Sequence, residues 1–267
     1  DNAGRIFKKK ADIVIHSTGS VLSQVEPQLE AIIRSRHNIV STCEELSQPW
    51  KHGQVAKRID TLAKKHGVTV LGTGINPGFM MDTLPIMLTG VCQRVNGVRV
   101  RRAVDASKRR QPLQKKIGTG LTVEEFERLA TKRLIRHVGL AESVALIARA
   151  LRWKLDRIEE TIEPVIAVHP VKTEFFDVTP GCITGVHQTA YGLLNGERVI
   201  ELDLKMSVDA GDSVDEVWLD GKPSIHSVIQ GVHGDLSTAA VAANSIRRVV
   251  AAPPGLVTMA DIPIISV

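Results

Sequence analysis

The stretch Val68-Thr69-Val70-Leu71-Gly72-Thr73-Gly74-Ile75-Asn76-Pro77-Gly78 decides how the chain is expected to fold. Its first four residues are apolar or β-branched, which is typical of a short buried strand. The glycines that follow permit a tight turn and close backbone approach. Asn76 and Pro77 stand where a helix N-cap and a first helical residue are favoured. The pattern predicts either an ordinary strand-to-helix turn or a helix N-terminus whose N–H groups bind a polar ligand.

Two further strands precede this stretch, and each is followed by small polar residues. Residues 11–16 and 38–42 have the composition of buried strands, and residues 24–36 and 54–65 have helical periodicity. This β-α-β-α-β order predicts a parallel sheet with helices on its faces. Ligands of such sheets bind at the carboxyl ends of the strands. The loops that follow the three strands, at 17–20, 43–45 and 72–78, are therefore expected at one edge of the sheet.

The beginning of the sequence differs from the beginning of a dinucleotide-binding fold. Such a fold starts with a strand that runs into a glycine-rich phosphate loop, and no GxGxxG motif precedes Ala11. Residues 1–10 are polar and basic, and we interpret them as the end of a helix or loop rather than a secretory signal. We therefore expect residues 1–90 to form the second half of a doubly wound domain.

A different pattern follows Gly90. A capping box predicts a helix from Thr122, and another helix is expected over residues 140–151. Turn pairs at Asn195-Gly196 and Asp220-Gly221 are typical of hairpins. Strands are predicted over 95–104, 158–168, 181–191, 199–204, 214–219 and 224–229.

The fold class is thus α/β plus α+β. A partial doubly wound parallel sheet is joined to a second, mostly antiparallel domain over residues 91–234. Residues 235–250 form the last predicted helix. We assign residues 235–267 to a C-terminal helix and tail that return to the first domain.

The composition argues against several classes of function. The formal charge of +5 comes from scattered Lys and Arg, with three Trp, one Tyr and five Phe to stack on bases. We expect no nucleic-acid partner and interpret the basic stretch 99–116 as a solvated loop or a phosphate-facing segment. No run is long and apolar enough for a membrane span. The three cysteines lack metal-ligand spacing, so we expect no metal and a cytoplasmic protein with reduced thiols.

Four stretches resemble one known family, in order along nearly the whole chain. They are His16-Ser17-Thr18-Gly19-Ser20, Ser41-Thr42-Cys43-Glu44-Glu45, residues 72–79 (GTGINPGF) and residues 254–263 (PGLVTMADIP). The chain resembles the 2,4-diaminopentanoate dehydrogenases and the related native amine dehydrogenases, whose fold is like that of dihydrodipicolinate reductase. The resemblance implies a Rossmann domain, an α+β substrate domain, a homodimer and the cofactor NADP or NAD. We expect the family's phosphate-binding first half to be lacking from this chain.

The resemblance also implies a reaction, the interconversion of an amine with a ketone or aldehyde plus ammonia. A carboxylate suits this chemistry because it binds ammonium and can act as a general base. Glu44 follows the strand 38–42, and the resemblance places the family's ammonia-binding glutamate here. The alternative is a helix-start carboxylate that the macrodipole favours, and this is the role we expect for Glu45.

The cofactor contacts are assigned to the polar loops and to the last helix. Asn76 can both donate to and accept from a nicotinamide amide, with helix capping as its alternative role. Asn244 lies among alanines and needs a polar partner, either the cofactor or a buried carbonyl. The proposed cofactor-binding residues are Ser17, Thr18, Gly19, Gly74, Asn76, Pro77, Gly78 and Asn244.

The substrate contacts are assigned to polar residues of the second domain. His137, His187, Gln188 and Tyr191 are the candidates, each with a structural or exposed position as the alternative. Two other functions stay open. One is an imine or carbonyl reductase of the dihydrodipicolinate reductase type, which need not bind free ammonia. The other is a nucleotide-binding remnant without catalysis.

Overall fold

A computed structural model describes residues 10–267, so the predicted helix or loop end at residues 1–9 lies outside the described residues. The chain forms two compact units. Of the described residues, unit 1 contains 10–86, Ala145–Arg152 and His233–Val267, and unit 2 contains Met87–Val144 and Trp153–Val232. Among residues 10–267 no helix is long and apolar enough to cross a membrane.

The strands and helices are numbered in chain order. The strands are β1 Ile13–His16, β2 Asn38–Ser41, β3 Thr69–Gly72, β4 Arg94–Asp105, β5 Arg157–Ile166, β6 Val171–Lys172, β7 Asp177–Val178, β8 Ile183–Leu194, β9 Glu197–Ser207, β10 Val214–Lys222, β11 Ile225–Gln230 and β12 Gly255–Val257. The helices are α1 Leu22–Arg34, α2 Gly53–His66, α3 Thr83–Leu88, α4 Gln111–Lys116, α5 Val123–Thr131, α6 Leu140–Ala150 and α7 Gly234–Ala251. Short 3-10 turns cover Glu44–Ser47, Pro49–His52 and Thr89–Val91.

Unit 1 is built on a parallel sheet with the strand order β1-β2-β3-β12. Because successive side chains of a strand point to opposite faces, Ile39 packs with α1 and α2 while Val40 packs on the other side with α7. Val70 and Leu71 divide in the same way. The parallel sheet predicted from the sequence is confirmed, and β12 adds a fourth strand that was not predicted.

Unit 2 is built on a six-stranded sheet with the order β11-β10-β4-β9-β8-β5. Its neighbouring strands are antiparallel except for the parallel pair β4 and β9, which confirms the mostly antiparallel prediction. Asn195 and Gly196, with φ of 53° and 80°, form the predicted turn between β8 and β9. The Thr122 capping box is also confirmed.

Two predictions for unit 2 are wrong. Asp220-Gly221 is not a hairpin turn but an irregularity inside β10. A Cβ on Gly221 would overlap the Arg94 carbonyl oxygen, so the glycine permits close approach of the neighbouring strand. The interpretation of the basic stretch 99–116 as a loop is wrong for its first part, which is the end of β4, and the strand predicted over 95–104 is confirmed there. Within it Arg102 is 3% exposed and lies 2.7 Å from Asp215, so this cation is paired inside the unit.

Candidate active site

The carboxyl ends of β1, β2 and β3 lie at the same level of the parallel sheet. His16 is in register with Ser41, and Ser41 is in register with Gly72. The Thr42 amide donates to the His16 carbonyl at 2.9 Å, and the Thr73 amide donates to the Ser41 carbonyl at 2.8 Å. The loops that start at residues 17, 43 and 73 therefore leave from one edge, as the strand order predicts for a ligand site.

The two neighbouring carboxylates after β2 have different surroundings. The Glu45 carboxylate accepts a hydrogen bond from the Leu22 amide at 2.8 Å, at the first residue of α1. Val21, the N-cap position of α1, makes no side-chain cap, so Glu45 performs this role from a distant part of the chain. Glu44 is half-buried and begins the 3-10 turn Glu44–Ser47. Glu45 is thus a capping residue, and Glu44 is the candidate for chemistry.

Gly72 determines how the turn that contains Glu44 packs against β3. A Cβ at Gly72 would overlap the backbone of Leu46, which is fully buried. Only a residue without a side chain permits this approach. The first glycine of the GTG sequence therefore supports the turn Glu44–Ser47.

Cys43 immediately precedes this turn and is fully buried. Burial is the largest cause that raises the pKa of its thiol, to about 12, and the negative charges of Glu44 and Glu45 raise it further. A thiol with this pKa stays protonated at neutral pH and is a poor nucleophile. The cysteine of the CEE sequence is therefore a packing residue.

The prediction that a helix begins at Asn76-Pro77 is wrong. Residues 75–82 form turns, and α3 begins at Thr83. The physical reason is Asp82, whose carboxylate is fully buried and accepts hydrogen bonds from the Gly78 amide at 2.8 Å and the Thr83 amide. The Thr83 hydroxyl donates to the Gly78 carbonyl at 2.8 Å. Asp82 thus fixes a compact loop ahead of α3, and Asn76 lies inside that loop instead of capping a helix.

The loop that follows β3 packs closely around the Thr73 hydroxyl. Gly74, Pro77 and Gly78 are buried, and Asn76 is half-buried. The Thr73 hydroxyl is buried and has no hydrogen-bond partner within residues 10–267. A Cβ on Gly78 would lie 2.7 Å from this hydroxyl, and Gly78 has a φ of 126° that favours glycine. A buried hydroxyl of this kind needs a group that can donate or accept a hydrogen bond, and a carboxamide can do both.

The remaining predicted cofactor residues have different positions. Ser17 and Thr18 are exposed and Gly19 is half-buried at the end of β1. Asn244 is half-buried on α7, but the α7 residue that contacts the loop is Thr238, whose hydroxyl accepts from the Ile75 amide at 3.4 Å. Six residues separate these positions, or about 9 Å along a helix. The structure therefore places Thr238 beside the loop, and the role of Asn244 stays a prediction.

The predicted substrate residues lie on two different faces of unit 2. His187 and Tyr191 point to the more open face of β8, where His187 Nε2 is 3.0 Å from Asp203 and Arg198 covers the Tyr191 ring. Gln188 points to the buried face and is hydrogen-bonded to both the amide and the carbonyl of His137, at 2.9 and 3.0 Å. Within unit 2 only the pair Gln188 and His137 is brought together.

Sequence reasoning missed several polar residues of this site. They are His16, Ser41, Thr73, Asp82 and Thr238, and the first four are less than 5% exposed. One signal was available for His16, because a histidine that ends an apolar strand needs hydrogen-bond partners when it is buried. Thr238 carries no such signal, since threonine is unremarkable in a surface helix.

Comparisons with known proteins agree with this architecture. The family model described as the 2,4-diaminopentanoate dehydrogenase C-terminal domain matches residues 79–267. The chain is 35% identical over 267 aligned residues to 2,4-diaminopentanoate dehydrogenase of Acetoanaerobium sticklandii, covering 97% of this chain and 76% of that protein. It is 27% identical over 224 residues to an amine dehydrogenase of Streptomyces virginiae, covering 74% of this chain and 61% of that protein.

A solved structure shares the fold. An amine dehydrogenase from Mycobacterium smegmatis superimposes with a TM-score of 0.89, covering all of this chain and 80% of that one, at 23% identity.

Proposed function

The chain belongs to the 2,4-diaminopentanoate dehydrogenase family, and we propose that it oxidises an amine reversibly with NAD or NADP. A protonated amine, water and the oxidised cofactor give a ketone or aldehyde, ammonium and the reduced cofactor, with release of one proton. When bound, the nicotinamide accepts the hydride from the carbon that carries the amine. One observation supports this function most strongly. Glu44 begins a turn that Gly72 supports at the ligand-binding edge of the sheet, and the neighbouring Glu45 caps α1.

Glu44 has the chemistry that the nitrogen requires in either direction. Its carboxylate attracts ammonium and can take a proton from it, which leaves ammonia as the nucleophile that attacks the carbonyl. In oxidation the same carboxylate holds the proton that is exchanged with the departing nitrogen. Because Glu44 is half-buried, its charge acts on the substrate nitrogen with less screening than a fully exposed carboxylate has.

The cofactor contacts belong to the loops after β1 and β3. We assign the carboxamide of the nicotinamide to the Thr73 hydroxyl and to Asn76, with Gly74, Pro77 and Gly78 as the surrounding backbone. Ser17, Thr18 and Gly19 are assigned to the same cofactor from the β1 loop. Asn244 stays a predicted contact, although Thr238 is the α7 residue that contacts the loop.

A second copy of the chain is the proposed partner, and it docks on the open face of unit 2. We define the open face by Arg99, Arg101, Asp203, Lys205, His187 and Trp218. Charges alternate across its strands, since Glu216 is in register with Arg101 and Arg101 with Asp203. The Arg99 guanidinium lies over the Trp218 ring at 4.2 Å, so an aromatic side chain is part of this face. Alternating charges on one face can pair with the same face of a second copy.

The cellular site that we propose is the cytoplasm. Cys43, Cys92 and Cys182 are all unpaired, which is the usual state of thiols in a reducing compartment.

The experiment is an initial-rate assay on protein expressed from its complete coding sequence. It follows NADH or NADPH oxidation with a panel of small ketones and aldehydes, with and without ammonium. The proposal predicts oxidation that requires ammonium. Oxidation that is equally fast without ammonium contradicts it and indicates an imine or carbonyl reductase. Binding of NADH or NADPH with no oxidation across the panel contradicts it in favour of a nucleotide-binding protein without catalysis.

A further inference from the structure

His16, the last residue of β1, has both ring nitrogens in hydrogen bonds inside unit 1. It is 4% exposed, and its Nδ1 lies 2.8 Å from the Ser41 hydroxyl. Its Nε2 lies 3.0 Å from the Gln28 side-chain carbonyl and 2.8 Å from the Thr18 hydroxyl. No role in binding or catalysis has so far been assigned to this ring.

The partners of His16 assign its tautomer. The Gln28 carbonyl oxygen can only accept, so the ring proton is on Nε2 and Nδ1 is an acceptor. The Ser41 hydroxyl then donates to Nδ1 and accepts from the Cys43 amide at 3.1 Å. The Thr18 hydroxyl donates to Gln28 at 2.6 Å. With a neutral ring, every group in the network can donate or accept in a way that fits all of its neighbours. Burial lowers the pKa of His16, which favours this neutral form.

This network joins two loops of the candidate site. On one side it holds Thr18, which belongs to the loop assigned to the cofactor. On the other side it holds the Cys43 amide, one residue before Glu44. The His16 carbonyl also accepts from the Thr42 amide at 2.9 Å, so backbone and side chain of one residue fix the same strand end.

We propose that His16 is a positioning residue for Glu44. Through Ser41 it fixes the start of the turn that presents the Glu44 carboxylate, and through Thr18 it fixes the neighbouring loop in the same register. The proposal rests on the function assigned above, because the purpose of the fixed geometry is to hold ammonia beside the carbonyl carbon. An error of about 1 Å in such a group can reduce catalysis by about a hundredfold.

Four variants test the proposal. His16→Leu removes the hydrogen bonds of both ring nitrogens, and Ser41→Ala removes only the branch toward Glu44. His16→Asn restores an acceptor near the Nδ1 position, so it serves as the conservative variant. His37→Leu is the matched control, because His37 is also buried, at 6% exposed, and also has its Nδ1 2.8 Å from a serine hydroxyl. His37 precedes β2, so it lies at the opposite edge of the sheet.

Two measurements are made on protein from the complete coding sequence. The first is KM and kcat for ammonium in the NADPH or NADH oxidation assay. The second is amide hydrogen–deuterium exchange of the segment 42–47, which needs no turnover. We expect His16→Leu and Ser41→Ala to raise KM for ammonium about tenfold or more and to accelerate exchange in this segment. We expect His16→Asn to recover most of both effects and His37→Leu to change neither.

The outcomes separate this proposal from the function on which it rests. If His16→Leu and His37→Leu have the same KM for ammonium and the same exchange, His16 has no positioning role and the proposal is overturned. If the wild-type protein shows no ammonium dependence, the proposed function fails instead. The exchange data then still decide whether His16 fixes segment 42–47, since unchanged exchange in His16→Leu overturns that part as well.

Discussion

The carboxylate of Glu45 caps helix α1 by accepting a hydrogen bond from the amide of Leu22 at 2.8 Å. Twenty-three residues separate the two groups, so the cap ties the turn after β2 to the helix after β1. A carboxylate at this position also interacts favourably with the helix macrodipole. Of the two adjacent glutamates, Glu45 therefore has a structural role, and the ammonia chemistry is the role that we propose for its neighbour Glu44.

Replacing Glu45 is expected to reduce stability rather than the chemistry. Glu45→Ala removes a helix cap, which costs about 0.5–2 kcal/mol of the free energy of unfolding. Denaturant unfolding measures this loss, and ammonium-dependent oxidation should persist below the unfolding transition. Glu45→Gln is the matched control, because its side-chain oxygen can still accept from Leu22. Complete loss of ammonium dependence in folded Glu45→Gln would mean that the ammonia chemistry belongs to Glu45 and that its assignment to Glu44 is wrong.

Gly72→Ala is expected to displace the turn that contains Glu44. The added methyl group would overlap the Leu46 backbone, which can move only if the turn Glu44–Ser47 moves. Overpacking of this kind costs about 1–3 kcal/mol, and turnover should fall together with stability. Gly90→Ala is the control, since nothing lies within 4 Å of the position of its Cβ. Equal unfolding midpoints for the two variants would contradict the close packing of Gly72 on Leu46.

The buried ion pair between Arg102 and Asp215 gives a prediction that depends on pH. Burial raises the pKa of Asp215 from 3.8 to about 6, and Arg102 opposes that rise. Arg102→Met removes the positive charge that opposes the rise, so the pKa of Asp215 rises further. The Asp215 carboxylate then stays buried without its counter-ion. We expect a loss of about 3–5 kcal/mol at neutral pH. Arg102→Met with Asp215→Leu should recover much of this loss.

The sign of the pH effect follows from proton binding. A carboxyl whose pKa is raised by folding binds protons more tightly in the folded state, so the contribution of Asp215 to stability is fully present below pH 3.8 and is lost as pH rises through its folded pKa. Arg102→Met should therefore be destabilised less at pH 5 than at pH 8, as urea titrations at both pH values can measure. The same loss at both values would mean that Asp215 does not take up a proton.

Reversing one charge on the open face is expected to prevent dimerisation. Arg101→Glu places a new carboxylate between Glu216 and Asp203, which flank Arg101 in register. Like charges on adjacent strands repel, and an isologous interface repeats the change in both copies. Light scattering after gel filtration should give a dimer for wild type and a monomer for Arg101→Glu. Lys65→Glu, an equal change on exposed α2, should stay dimeric, and a dimeric Arg101→Glu would exclude this face.

The sequence alone was sufficient to predict those elements whose local pattern agrees with the tertiary structure around them. The strands β1, β2 and β3 follow from short apolar runs, and the resemblance based on four motifs is confirmed by a relative that is 35% identical. The turn at Asn195-Gly196 was predictable because the pair tolerates positive φ at both positions. Elements with local signals of this kind can be predicted without knowing which distant residues they contact.

Predictions were wrong where a distant or buried group competes with the local signal. Asn76-Pro77 has the composition of a helix start, but buried Asp82 accepts the amides of Gly78 and Thr83 and moves that start to Thr83. Asp220-Gly221 has the composition of a turn, but pairing with β4 keeps it inside a strand. The roles of Gly72 and Glu45 depend on Leu46 and Leu22, and neither contact can be inferred from sequence spacing.

The most direct test of the account is the ammonium dependence of NADH or NADPH oxidation in Glu44→Gln, compared with wild type. Gln keeps the size of the side chain and removes the charge that binds ammonium and the base that accepts its proton. The account predicts saturable ammonium dependence in wild type and a loss of about 10²–10⁴ in turnover for Glu44→Gln. The affinity for NADH or NADPH, measured by fluorescence, should be unchanged. Glu44→Gln that keeps wild-type turnover and ammonium dependence would contradict the assignment of ammonia chemistry to this residue.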